Sequence, residues 1–285
     1  MKKITLFSIL LFFYNLQPSK AQVAEEVLWE NVKAGDKVEL TVFYHENSPF
    51  VYEEKGKLTG IEIDILNSFV EWVKENKEVD VELIYQKPQS FYKLLLQAQN
   101  GKSNTIGLGT ITITKEREKN LAFSAPYLRN VSVLLSQGGV KTALNEEELK
   151  SSFADLYPVT VPGSIHEDHI KEFRDKIGRT NRPIREVKTP KEVIESIAQS
   201  GKLYGYSDVI TFWQYMKEHD DFIKMHKVAN KNDEFFGFAF PKESGWKFLF
   251  DEFLESGFGF TATKAYHRIL EKHLGYEIIN TVEID

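Results

Sequence analysis

Strand-like and helix-like apolar patterns alternate along almost the whole of this chain, and that rhythm limits its fold more than any other feature. Residues 38–44 alternate apolar and polar side chains, the period of two expected of a half-buried strand. Ile65, Leu66, Phe69, Val70 and Val73 then recur at the spacing of one helix face. Residues 79–85 read as a second strand, 91–99 as a helix stopped by Asn100-Gly101, and 105–113 as an apolar, β-branched strand. Thr114 is placed to cap a short helix running through Asn120. A strand at 131–136 meets a break at Gln137-Gly138-Gly139. The rhythm resumes with strands at 158–161 and 203–206 and helices at 166–176, 191–200 and 209–217. A last apolar strand, 235–240, leads into helices at 245–254 and 263–274.

Such alternation predicts an α/β architecture with mainly parallel sheets. The breaks near 131–139 and 228–235 bracket about a hundred residues. We read that segment as a lobe inserted into another: residues 22–131 with 232–285 form the first, residues 132–231 the second. Two chain crossings make a hinge, and the cleft between the lobes becomes the natural ligand site.

Lys2 and Lys3 precede an apolar run at 4–14 and small residues at Ser19 and Ala21. That is the pattern of a signal peptide, residues 1–21, with a core too short to span a bilayer. The 285 residues include no Cys, which excludes lipid attachment, a disulfide framework and any thiolate nucleophile or metal ligand. An unanchored periplasmic protein, a monomer, is the expectation. The net charge of −6, with basic residues scattered, gives no footprint for nucleic acid.

Taken alone, the run Lys115-Glu116-Arg117-Glu118-Lys119 reads as a wet helix face. Glu62 and Asp64 flank a helix start, where carboxylates suit the dipole better than they suit catalysis. His166-Glu167-Asp168-His169 lacks both zinc-motif spacing and a third ligand, so it reads as a solvated helix turn. No catalytic residue, metal site or cofactor is expected.

Four blocks in order change the weight of these residues. Gly60-Ile61-Glu62-Ile63-Asp64-Ile65 is followed by Thr110-Ile111-Thr112-Ile113-Thr114-Lys115-Glu116-Arg117 with Phe123-Ser124-Ala125-Pro126-Tyr127. Gly163-Ser164 and the stretch from Gly201-Lys202-Leu203 to Asp208 come next. Together they resemble the type 3 extracellular solute-binding proteins, the polar-amino-acid receptors of ABC importers, over residues 38–275. The resemblance implies a periplasmic-binding-protein-like fold of two lobes clamping a small amino-acid-like ligand, delivered to a membrane permease. It places Arg117 and Thr112 on the ligand carboxylate, Thr110 on its amine, Asp208 on the ammonium and Ser164 on the carboxylate from the inserted lobe. Phe91 falls where an aromatic packs over the ligand side chain. Phe50, after Pro49, stands open between core packing and ligand contact.

The chemistry is self-consistent. A zwitterion leaving water needs opposite charges to replace its hydration, and a guanidinium fork gives a carboxylate short charge-assisted bonds. Tyr44 and Ile165 stand where the family often has an acid and a Thr, which argues against a basic ligand. The motif around 45–50 is faintly similar to acidic-amino-acid binders, so a polar, acidic or amide side chain is expected. Cyclohexadienyl dehydratases share the fold. Pro162-Gly163-Ser164-Ile165-His166-Glu167 distantly resembles their Pro-Gly segment, with Glu167 then an acid in the cleft.

Overall fold

The computed structural model describes residues 25–276, and the candidate signal peptide lies outside them. In chain order the first lobe holds β1 (Lys37–Tyr44), the hairpin β2 (Tyr52–Glu54) and β3 (Lys57–Thr59), and α1 (Ile61–Lys77). It continues through β4 (Asp80–Gln86), α2 (Phe91–Gln99), β5 (Thr105–Leu108) and β6 (Leu121–Phe123). The chain crosses on β7 (Leu128–Gln137) to α3 (Glu146–Ser152), β8 (Tyr157–Thr160), α4 (Ile165–Ile177) and β9 (Arg185–Glu186). There follow α5 (Pro190–Gln199), β10 (Leu203–Asp208), α6 (Val209–Glu218) and β11 (Ile223–Met225). It returns on β12 (Lys231–Phe236) to β13 (Ala239–Pro241), α7 (Gly245–Glu255) and α8 (Lys264–Leu274).

Two sheets result. The first has the order β4-β1-β5-β13-β6, and the second runs β11-β7-β10-β8-β9 with β12 also on β7. Helices cover each sheet, so the fold is α/β with two lobes. The lobes are joined by two strands lying side by side, since β7 and β12 pair antiparallel, Leu128 opposite Phe236 and Glu234 opposite Asn130. The sheets are not mainly parallel, as the alternation suggested. β7 pairs antiparallel with β10, β11 and β12; for β12 this follows because a chain that leaves one lobe and returns to it must reverse direction.

The apolar stripe of α1 is real: Ile65, Leu66, Phe69 and Val73 are buried in the core of the first lobe, where the Phe69 ring meets Phe250 and Phe253 of α7. The helix starts after Gly60 at φ +129°, where a Cβ would stand 2.1 Å from the Phe50 carbonyl oxygen. Only glycine accepts both that backbone and that approach. The strand expected over 105–113 stops at Leu108, because Gly109 and Thr110 take φ of +133° and +53°. The run 235–240 is not one strand either. It divides at Gly237, leaving β12 in the second sheet and β13 in the first.

Candidate functional site

The turn that ends β5 is held from below by Glu62, the second residue of α1. Its carboxylate accepts from Gly109 N (2.7 Å), Thr110 N (3.0 Å) and the Tyr127 hydroxyl (2.6 Å), and the residue is fully buried. Burial pushes its pKa up to about 7, although all three donors pull the other way. Glu62 therefore keeps Thr110, a non-glycine residue in the left-handed region, aimed into the cleft. Glu62→Gln places an amide donor against those donors and should lower unfolding free energy by about 1–3 kcal/mol, measured by urea denaturation.

Arg117 opens the short turn Arg117–Lys119, with its N–H bonded to the Thr114 hydroxyl at 3.2 Å. The expected capping by Thr114 is thus present, on a 3-10 turn rather than an α-helix. The guanidinium does not lie on a wet face. It donates to Thr112 O (2.8 Å) and, across the cleft, to Gly163 O (3.1 Å), and lies over the Phe91 ring at 5.5 Å. Burial pushes its pKa down to about 10, with Asp168 and Glu234 only partly compensating at a distance. Among the described residues no carboxylate forms an ion pair with it. A guanidinium fork is shaped to give a carboxylate two parallel bonds, and this one faces the cleft without an anion from the described residues.

The opposite wall comes from the second lobe. Ser164 caps α4, accepting from Glu167 N (3.3 Å) and donating to Val161 O (2.7 Å). Glu167 accepts in turn from Gly163 N (2.7 Å), the residue before the cap, and it pairs with Lys171. That engagement turns Glu167 away from the role of a cleft acid. Asp208 precedes α6 yet makes no capping bond with its side chain. Its carboxylate instead takes Asn130 Nδ2 at 2.8 Å and Asn47 Nδ2 at 3.4 Å, and faces His166 Nε2 at 3.3 Å.

Arg117, Thr110, Thr112, Phe91, Ser164 and Asp208 all line one cavity between the two sheets. About 20 Å³ of space remains among them, room for one water. Phe50 is elsewhere. It is fully buried in the first lobe and packs on Phe236 at 5.5 Å, because the glycine approach at Gly60 pins its backbone under α1. Phe50 is a core residue and does not line the cavity.

Three further residues, none of them assigned to the ligand site from the sequence, lie in the cleft. His45 lines the cavity and meets Lys188 O at 2.9 Å across the cleft. Asn47 donates to Thr110 (2.9 Å) and accepts from Thr211 (3.1 Å), tying the lobes together. His166 is buried, as is most of His169, which meets Glu234 at 2.5 Å. The pair is therefore not a solvated turn: a spacing of three puts both on one face of α4, and that face packs inward. Among the described residues no group of three acids or histidines could hold a metal ion.

The sequence pattern of the bacterial extracellular solute-binding proteins, family 3, matches residues 40–276. The chain belongs to that family. Among its relatives is the probable amino-acid-binding protein YxeM of Bacillus subtilis (strain 168), 25% identical over 154 residues. That match takes in 54% of this chain and 52% of the other, so it spans about half the length of that curated relative. In structure the family 3 chain is similar to an ancestral arginine-binding protein bound to arginine, at TM-score 0.68 and 22% identity. The superposition covers 83% of this chain and 98% of that one. An ancestral amino-acid-binding protein described as a precursor of cyclohexadienyl dehydratase is also similar, at TM-score 0.66, 21% identity and coverage of 83% and 95%. Family 3 is a family of bacterial extracellular solute-binding proteins. No helix among the described residues is long and apolar enough to cross a membrane.

Proposed function

We propose that this family 3 protein is a periplasmic receptor that clamps one zwitterionic amino acid and presents it to an ABC-type permease. The observation that carries the reading is a pair of opposed charges on one cavity. Arg117, from the first lobe, has no anion of its own among the described residues, and Asp208 stands on the wall supplied by the second. In this reading Arg117 and the Thr112 hydroxyl take the carboxylate, with the N-terminus of α4 behind Ser164 adding oriented N–H groups. Thr110 and Asp208 take the ammonium, and Phe91 packs on the side chain.

The lobes are residues 22–131 with 232–285, and residues 132–231. With only a water's volume left between them, the ligand enters as the lobes part and then bridges them. The protein acts as a monomer, without lipid anchor, after removal of residues 1–21. Among the described residues Asp208 is the only acid lining the cavity, while His45 and the apolar Val161, Ile165 and Pro190 complete its wall. That lining supports a polar side chain, acidic or amide, over a basic one. The ancestral protein that resembles this chain is described bound to glutamine as well as to arginine.

A thermal-shift screen over amino acids and dicarboxylates tests the reading. A true ligand at 100 times its Kd should add about 2.7 kcal/mol to stability. If no zwitterion raises the melting temperature, the receptor reading is wrong. Release of phenylpyruvate from prephenate, followed by absorbance, would instead mark the chain as a dehydratase-like enzyme. The engagement of Glu167 with Gly163 N and Lys171 argues against that outcome.

A further inference from the structure

The acid expected to take the ligand's ammonium already faces a base. His166 Nε2 stands 3.3 Å from Asp208 Oδ1 and 3.1 Å from Ser132 Oγ, and both His166 and Asp208 are buried and line the same cavity. Ser132 Oγ donates onward to Glu234 Oε2 at 2.7 Å, so it accepts from the imidazole. His166 Nε2–H thus points at Ser132 and Asp208 whether or not the ring is charged. The proton that can come and go is the one on Nδ1, which has no hydrogen-bond partner among the described residues.

The surroundings favour holding that proton. Asp208 and Glu234 are two buried carboxylates that share the Asn130 amide, at 2.8 and 3.0 Å. Two anions so close need a cation between them. Burial alone would lower the His166 pKa, but the charge and contact of Asp208, with Glu234 behind, outweigh it and the opposing Arg117, and the value is raised. The other ionisable groups around the ring are His169 on the same helix, paired with Glu234, and His45 across the cavity, whose pKa burial lowers. Glu62 lies behind Thr110 and senses Asp208 through space.

We infer that His166 is a built-in counter-ion of Asp208 that the ligand's ammonium replaces, so that each binding event expels a proton from the cleft. This rests on the proposed function, in that Asp208 must receive an ammonium. The physical argument is charge balance. An ammonium and an imidazolium cannot both face one carboxylate in so small a volume without strong repulsion. The neutral imidazole can stay in place, still bonded to Ser132. The sign then follows. Below the His166 pKa, binding must discharge an imidazolium, so affinity for an amino acid rises with pH by about tenfold per unit and levels off above that pKa. A protein that meets its ligand in an acidified medium would hold it more loosely there.

Isothermal titration calorimetry of the full-length mature protein, in two buffers of different ionisation enthalpy, counts protons released per amino acid bound. Release approaching one per site is expected at pH 5.5, falling to none by pH 8.5. In His166→Gln, whose amide keeps a donor towards Ser132, release should vanish and the pH slope should flatten. A ligand analogue with hydroxyl in place of the amine should bind without releasing a proton. Imidazole NMR of the unaltered protein gives a second measure: the His166 titration should move to lower pH when ligand is added. Binding without release, or release that persists in His166→Gln and so comes from Glu62 or His45, overturns the exchange and leaves the receptor reading standing. Should no amino acid bind at any pH, both fall together.

Discussion

Arg117→Ala should abolish useful binding, weakening the best amino-acid ligand by on the order of 3–5 kcal/mol, or roughly a hundredfold to several thousandfold. The expectation rests on where the guanidinium is and on what it lacks. It is half-buried, spends two bonds on the carbonyls of Thr112 and Gly163, and has no carboxylate of its own among the described residues. Removing it leaves a ligand carboxylate stripped of water against an apolar ring and neutral hydroxyls. Arg117→Lys should fall between, because an ammonium keeps the charge but cannot make two parallel bonds. Circular dichroism and melting temperature must be followed alongside calorimetry, since the same substitution removes one of the ties across the cleft. Binding that survives in a folded Arg117→Ala protein would refute the clamp.

Asp208→Asn should have the second largest effect and an unlike signature. Affinity for amino acids should fall by a similar amount, on the order of 3–5 kcal/mol, as the ammonium loses its anion. Above the His166 pKa, where the imidazole is neutral, stability should not fall with it. There Asp208 and Glu234 crowd one amide with no imidazolium between them, and neutralising one member of the pair relieves repulsion that the fold otherwise carries. A variant that melts no lower than the parent yet no longer binds would mark Asp208 as held for function. The hydroxy-acid analogue sharpens the test, because a ligand without an ammonium should bind parent and variant alike.

Much of the fold could be read from residue order because it rests on local pattern. The stripe on α1 and the helix at 91–99 appear where apolar spacing places them. What escaped lacked such a pattern. The hairpin β2–β3 is built from Tyr52, Glu53, Glu54, Lys57, Leu58 and Thr59, none of them fully buried, so no period of two marks it. Helix α3 buries only Leu149 and carries three acids in its first turn. The division at Gly237 is hidden inside a continuous apolar run, because Phe236 and Phe240 on either side of it are both buried, though in different sheets.

The cleft was legible in residue type and not in pairing. Arg117, Asp208 and Ser164 carry the chemistry of a zwitterion site, and the structure brings them to one cavity. That His166 would answer Asp208, or that Asn47 would reach both Thr110 and Asp208, depends on contacts 42 and 161 residues apart along the chain (208 − 166 and 208 − 47). No local rule sees those distances. Phe50 is the converse case: a loop position next to proline suggested exposure to the cleft, but the approach of Gly60 draws it into the core.

The side-by-side course of β7 and β12 bears on how such a molecule can change over generations. Because Leu128 sits opposite Phe236, the host lobe meets the inserted one as it would meet the two arms of a hairpin. Whatever lies beyond those arms closes a loop whose entropic cost grows only slowly with length. The segment between them can therefore be lengthened, recombined or exchanged for a relative's as a cassette, with little penalty to the lobe that carries it. Asp208, Ser164 and His166 travel with the cassette, while Arg117 and Thr112 stay behind. A single exchange would thus renew half of the cavity's lining and leave the proposed seat for the ligand's carboxylate untouched.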